Sequence, residues 1–254
     1  MTKTRVIAGR SRSSRSGPPE SEGAFRDGTV PAGTGSSRAG TRRGAYHHGD
    51  LSNALADAAT ELARGGGPEA VVLREAARRV GVSAAAAYRH YASHCELLQA
   101  VKDRAVAELA SALQQGLDHG VPLSGPADEA LRRLRNLGSA YIGFALANPG
   151  LFHAAFVVHS PYCRVKGIAG DVKEQLAAAR PYQILSDALD QLVAVGLLDP
   201  ARRELAPIAF WSSVHGLATL ILDGPLAALT ETEQAGAISH TLDILADGIR
   251  CSSS

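Results

Sequence analysis

Cysteine is scarce in this chain: Cys95, Cys163 and Cys251 are far apart and odd in number among 254 residues. That pattern supports neither a disulfide framework nor a paired-cysteine zinc site, and it predicts reduced thiols. Long apolar runs are missing as well. No stretch reaches the roughly eighteen consecutive apolar residues of a membrane span, and the N-terminus carries charges without the apolar core of a secretion signal. The expectation is a cytoplasmic chain. Aromatic residues make up only 5%, with a single tryptophan. There is no sustained alternating strand pattern between hairpin turns, no Gly-rich phosphate loop and no long internal repeat.

Net charge is also small, with 26 Lys+Arg against 25 Asp+Glu, but it is unevenly distributed. Residues 1–44 hold nine basic and three acidic side chains, and 23 of these 44 positions are Gly, Pro, Ser or Thr. Too little apolar surface remains there to offset chain entropy, so a disordered basic arm is expected. It would serve as a solubilising tail or, through Arg42 and Arg43, as a DNA-reaching arm.

From Asp50 onward the chain reads as helix. Leu51, Ala54, Leu55, Ala58, Ala59 and Leu62 recur at the steps that build one apolar face, with Asp50 as N-cap and Gly65–Pro68 as the stop. A second helix fits 73–80, with Leu73, Ala76, Ala77 and Val80 inward, Arg74, Arg78 and Arg79 outward, and Gly81 ending it. Ser83 caps a third helix over 84–90. Ser93 and Glu96 form a capping box for a fourth through Leu97, Leu98, Val101, Ala105, Leu109 and Leu113. Further helices are expected near 128–147, 149–159, 168–180, 182–196, 204–223 and 231–249, with Thr230 and Glu233 boxing the last. The fold class is all-α.

The string LREAARRVGVSAAAAYRHY, Leu73 to Tyr91, has what a helix-turn-helix needs. Small Ala76 and Ala77 let two helices cross closely, Gly81 permits the tight turn, and the second helix can enter a major groove N-terminus first. The block from Asp50 to Val101, above all Gly81 to Val101 with Tyr88-Arg89-His90-Tyr91, resembles the DNA-binding domain of the tetracycline-repressor-like (TetR) regulators. NPGLF at 148–152 and FWSSVHGLATLILDG at 210–224 resemble the C-terminal subgroup marked by a Trp-His-Gly pattern.

Beyond the disordered arm over 1–44 that composition predicts, the resemblance implies two parts: a three-helix helix-turn-helix domain over 45–92 and a ligand-binding and dimerisation domain over 93–254. It implies a homodimer formed by the last two helices, about 204–223 and 231–249, on a palindromic double-stranded operator from which a small-molecule effector releases it. The positions carried over to the DNA face are Ser83, Ala84, Ala85, Tyr88 and His90, with Arg74, Arg89 and His94 added. His94 stands where the family usually has lysine, and Val72 where a Ser or Thr commonly opens the second helix. Ala84 to Ala86 offer only methyl groups, so any base reading there is apolar contact or shape fit.

Tyr141, Phe144, Phe152, Phe156, Trp211 and His215 concentrate the few aromatic rings in one region and are candidates for core or for a ligand cavity. No cofactor or metal is expected: His90, His94 and Cys95 lack a matched second cluster. Ser212, Ser213, His215 and Asp223 are triad residue types, but they lie too close along one helix to converge, so an enzyme is not expected. Two rival readings stay open, a helical binding protein without specific DNA affinity and an all-α enzyme.

Overall fold

The structure, a computed structural model, describes residues 48–156 and 172–250. The expected arm over 1–44 and the ends of two expected helices, 157–159 and 168–171, lie outside the described residues. Ten α-helices are present, and there is no strand among the described residues. They are α1 (His48–Gly66), α2 (Leu73–Val80), α3 (Ala84–Tyr88), α4 (His94–Asp118), α5 (Pro126–Ala147), α6 (Pro149–Phe156), α7 (Val172–Ala178), α8 (Arg180–Ala194), α9 (Ala206–Leu222) and α10 (Glu231–Arg250). No helix among the described residues is long and apolar enough to cross a membrane.

The local signals account for most boundaries. Gly81 adopts the left-handed conformation at φ 77°, and its N–H closes α2 onto the carbonyls of Ala77 and Arg78. The Ser83 hydroxyl accepts from the Ala86 N–H at 3.1 Å. Ser93 caps Glu96 at 3.2 Å, but the Glu96 carboxylate reaches back to the Ala92 N–H at 2.7 Å, one residue beyond the usual box partner. Thr230 and Glu233 cap each other at the start of α10.

Three expectations need adjustment. Helix α1 begins at His48, so Asp50 sits inside its first turn and not at the cap. Helix α3 ends at Tyr88, where single-turn bonds from Arg89 and His90 replace the expected continuation to 90. Cys95, in the first turn of α4, is disulfide-bonded, which corrects the expectation of reduced thiols there. Separation along the sequence did not report which sulfurs the fold brings together; Cys163 and Cys251 lie outside the described residues.

Helix α4 organises the molecule. It packs against α1, α5, α6 and α8, while α5 in turn packs against α8, α9 and α10. Its face is buried from end to end: Leu97, Val101, Ala105, Leu109 and Leu113 are each at most 2% exposed. Burying a leucine or valine side chain of this kind stabilises by about 1.5–3 kcal/mol relative to exposure. Two glycines allow close helix approach. Gly116 of α4 lies where a Cβ would be 2.5 Å from Ala140 Cβ of α5, and Gly138 of α5 faces Leu242 of α10 and Phe210 of α9. Gly150 of α6 lies directly against the backbone at the end of α1, so a Cβ there would collide with the Ala63 carbonyl oxygen.

Candidate DNA interface and ligand cavity

The first site is the α2–α3 unit. Leu73, Ala76, Ala77 and Ala87 are buried, and Ala76 and Ala87 have no exposed surface at all. Small side chains therefore let the two helices meet closely, while the other faces point outward. Tyr91 anchors the unit to α1: its hydroxyl donates to the Ser52 carbonyl at 3.1 Å and accepts from the Ser52 hydroxyl at 3.2 Å. That bond fixes where α3 points, which residue spacing alone did not predict.

Of the sequence-derived DNA-face positions, Ser83, Ala85, Tyr88, Arg89 and Arg74 are exposed, and Ala84, His90 and His94 are half-buried. Tyr88 is 47% exposed, and its hydroxyl has no hydrogen bond within the described residues. Ser83 spends an oxygen lone pair on its cap and keeps its proton available. The charges sort themselves. Arg78 and Arg79 both bind Glu75, at 2.8 and 3.3 Å, and these bonds, Arg78 foremost, hold the Glu75 carboxyl down to about 2. Arg74 and Arg89 enter no ion pair among the described residues, so their charge is available to a phosphate. Val72, 47% exposed, opens α2 without a side-chain cap.

The second site is a cavity of about 450 Å³ lined by residues of α4, α5, α6, α7, α8 and α9. Tyr141, Phe156 and Trp211 line it, together with Gln99, Lys102 and Val106 of α4 and Tyr182 of α8. Phe152 and His215 lie behind that wall in the same aromatic cluster, where the Phe152 ring is 5.1 Å from Phe156 and 5.2 Å from His215. Phe144 is buried in the core and does not line the cavity.

The inner wall carries a short hydrogen-bond chain. Trp211 Nε1–H donates to the Tyr141 hydroxyl at 3.1 Å, and the hydroxyl lies 2.8 Å from His215 Nδ1. The indole can only donate, so the Tyr141 oxygen accepts that bond, while the 2.8 Å bond to His215 runs from the hydroxyl to Nδ1 or from Nδ1–H to the oxygen according to the histidine tautomer. Burial favours the neutral form of both groups: it lowers the His215 pKa and pushes the Tyr141 hydroxyl well above its ordinary value.

The triad residue types do not converge. His215 Nδ1 is taken by Tyr141, Ser213 donates to its own helix at the Ala209 carbonyl, and Asp223 meets His153 of α6 at 2.8 Å. Among the described residues no group of three or more His, Cys, Asp or Glu side chains could hold a metal ion. Gln99, Lys102 and Tyr182 went unnoticed in the sequence. The signal was present, since Gln99, Lys102, Val106, Leu109 and Leu113 follow the three- and four-residue steps of one helix face.

The two sites share a junction. Arg64, near the end of α1, donates to Asn148 at 2.6 Å and to both carboxylate oxygens of Glu108 at 3.0 Å. It thereby ties α1 to α4 and to the residue that precedes α6.

Comparison with known proteins agrees with this division of labour. Residues 55–101 match the model of bacterial regulatory proteins of the tetR family, and residues 134–245 match the tetracyclin repressor-like C-terminal domain. The first segment contains α2 and α3; the second contains Tyr141, Phe156 and Trp211. A solved protein of unknown function from Rhodococcus sp. RHA1 is 24% identical with a TM-score of 0.62, covering 81% of this chain and 98% of that one. A candidate TetR-family transcription regulator from Shewanella sp. PV-4 is 18% identical with a TM-score of 0.53, covering 78% and 97%. Both likenesses are likenesses of fold. No curated protein matches the chain. With a helix-turn-helix at one end, a helical cavity at the other, and both segments matched by one family in order, the chain belongs to the TetR family of DNA-binding transcriptional regulators.

Proposed function

We propose that this regulator is a cytoplasmic homodimeric repressor whose operator is released when a small molecule fills the cavity. The observation that carries the reading is the course of α4. The helix begins at His94, directly after the helix-turn-helix, and eight residues later Lys102 already lines the cavity. A ligand pressing on this face acts on the element that the DNA-binding unit is built upon. Residues 45–92 then serve as the DNA-binding domain and 93–254 as the ligand-binding and dimerisation domain, with α1, α4 and α6 joining them.

Dimerisation through α9 and α10 is supported by apolar side chains left uncovered there: Leu205 at 66%, Ile208 and Leu220 at 44%, and Ile244 at 56% exposure. Burying such a face against a second copy would pair helices as in a four-helix bundle. Two recognition helices related by that axis would read half-sites about 34–36 Å apart. Ser83, Ala84, Ala85, Tyr88 and His90 would face the groove, with Arg74, Arg89 and His94 toward the backbone. No catalytic step is part of this function.

Selection of bound duplexes from a random library, with and without residues 1–44 and at two salt concentrations, tests the reading. Enrichment of one inverted repeat is expected. Binding that enriches no sequence and vanishes as salt rises would instead favour the rival helical binding protein, because purely phosphate-driven binding is steeply salt-dependent.

A further inference from the structure

The cavity wall is chemically lopsided. At its inner end the polar groups are already engaged with one another: the Trp211 N–H goes to the Tyr141 oxygen, and the Tyr141 hydroxyl is bonded to His215 Nδ1. What that end chiefly offers a ligand is apolar surface from Phe156, Leu185 and Val214. At the other end stand Gln99 and Lys102, where the α4 stripe emerges from the core: Leu109 and Leu113 are buried, Lys102 is half-buried and Gln99 exposed. Lys102 makes no ion pair or hydrogen bond among the described residues. Asp103, next in sequence, accepts from the Gln99 side chain at 2.7 Å and does not line the cavity. Among the described residues no Asp or Glu lines it, and Lys102 is the one charged side chain that does.

We infer that the effector is an anionic amphiphile: a carboxylate held by Lys102 at the α4 end, with an aromatic or aliphatic body lying against Phe156 and Trp211. This rests on the proposed effector role of the cavity and specifies the chemistry that role requires. An unpaired lysine beside apolar walls favours a ligand that brings its own negative charge, since charge-assisted hydrogen bonds gain strength in a partly desolvated site. The orientation follows from the inner wall, where Trp211, Tyr141 and His215 are already bonded to one another and Phe156, Leu185 and Val214 present apolar surface. A volume of about 450 Å³ falls within the range of clefts that enclose a single small molecule. The carboxylate would sit on the first third of α4, the part nearest the helix-turn-helix.

The single tryptophan lines the cavity, so its emission reports occupancy directly. The full chain is titrated with 4-phenylbutanoate, 4-phenylbutanamide and 4-phenylbutylamine, each in wild type and in Lys102→Gln, and emission is read with the thermal midpoint as a second signal. Lys102 is half-buried at the cavity mouth, so the variant is expected to fold. In wild type the acid should bind about tenfold or more tightly than the amide, and the amine most weakly. In Lys102→Gln the acid and amide should become equal within about a factor of two. Equal or tighter binding of the amide or amine in wild type, or a preference for acid that survives Lys102→Gln, overturns the assignment of charge and leaves the cavity's effector role intact. Failure of all three probes to change either signal at millimolar concentration overturns the cavity reading and this inference with it.

Discussion

Replacing Gly150 by alanine should loosen the contact between α6 and α1. A methyl at this position would collide with the Ala63 carbonyl oxygen and would also lie 2.9 Å from the Arg64 carbonyl oxygen and 3.0 Å from the Gly67 nitrogen. All three atoms are backbone, so no side-chain rotation relieves the clash, and the two helices must separate by on the order of an ångström. The Arg64 bonds to Asn148 and Glu108 span the same junction and would lengthen with it. Overpacking of this kind costs about 1–3 kcal/mol. For a folded unit of this size, that corresponds to a midpoint lower by roughly 4–8 °C in thermal unfolding followed by circular dichroism, at 2 kcal/mol. Gly143→Ala in α5 is the internal control. It is exposed with nothing near its missing Cβ, and alanine there should gain about 0.5–1 kcal/mol of helix propensity. If Gly150→Ala melts at or above wild type, or if the two variants shift together, the close backbone contact between α1 and α6 is refuted as a stabilising feature.

Three further outcomes are expected. Gly81→Ala should destabilise by about 1–2 kcal/mol in chemical denaturation, because φ is 77° and the site is otherwise open, so the cost is conformational alone; an unchanged midpoint would contradict it. Tyr141→Phe removes the acceptor of the Trp211 N–H and the partner of His215 Nδ1, and should cost about 1–3 kcal/mol with a shift in tryptophan emission; unchanged emission and stability would contradict it. His215 has its pKa lowered by burial, so the unfolded chain takes up this proton first. Stability from keeping it neutral is full above the ordinary histidine value of 6.5 and is lost as pH falls below that value toward the lower folded pKa. Between pH 7.5 and 5.5 the midpoint of wild type should therefore fall more than that of His215→Gln, and parallel curves would count against the mechanism.

Much of the helix-turn-helix was legible because its signals are local. Gly81, Ser83 and Ser93 each act within four residues, and the inward face of α2 follows from spacing alone. Where local signals were weak the boundaries moved. Asp50 was a suitable cap residue with nothing to require that the helix start there, and α3 is too short for a periodicity argument to fix its end. The capping box at Ser93 named the right residues but not the donor that Glu96 reaches, because a flexible carboxylate can bridge to Ala92 as easily as to Ser93.

The cavity was half legible, and the reason is instructive. Aromatic concentration drew attention to Tyr141, Phe152, Phe156, Trp211 and His215, and these do form one cluster, with Tyr141 and Phe152 rings 5.9 Å apart. Ring chemistry does not say which member faces the void. Phe152 and Phe156 are four apart on α6 and share a face, yet only Phe156 lines the cavity. The seating of α6 on the end of α1 is likewise invisible in sequence: it depends on a missing Cβ at Gly150 and on backbone atoms of Ala63, Arg64 and Gly67 far earlier in the chain. Lys102 was hidden for the opposite reason. A lysine on an amphipathic helix is ordinarily a solvated charge, and it becomes informative only when the fold places it in one cavity with Tyr141, Phe156 and Trp211 and with no acid among the described lining residues. The DNA-reading unit is thus specified within short stretches of chain, whereas the cavity depends on distant helices meeting, which is why the family could be recognised before the effector chemistry could be argued.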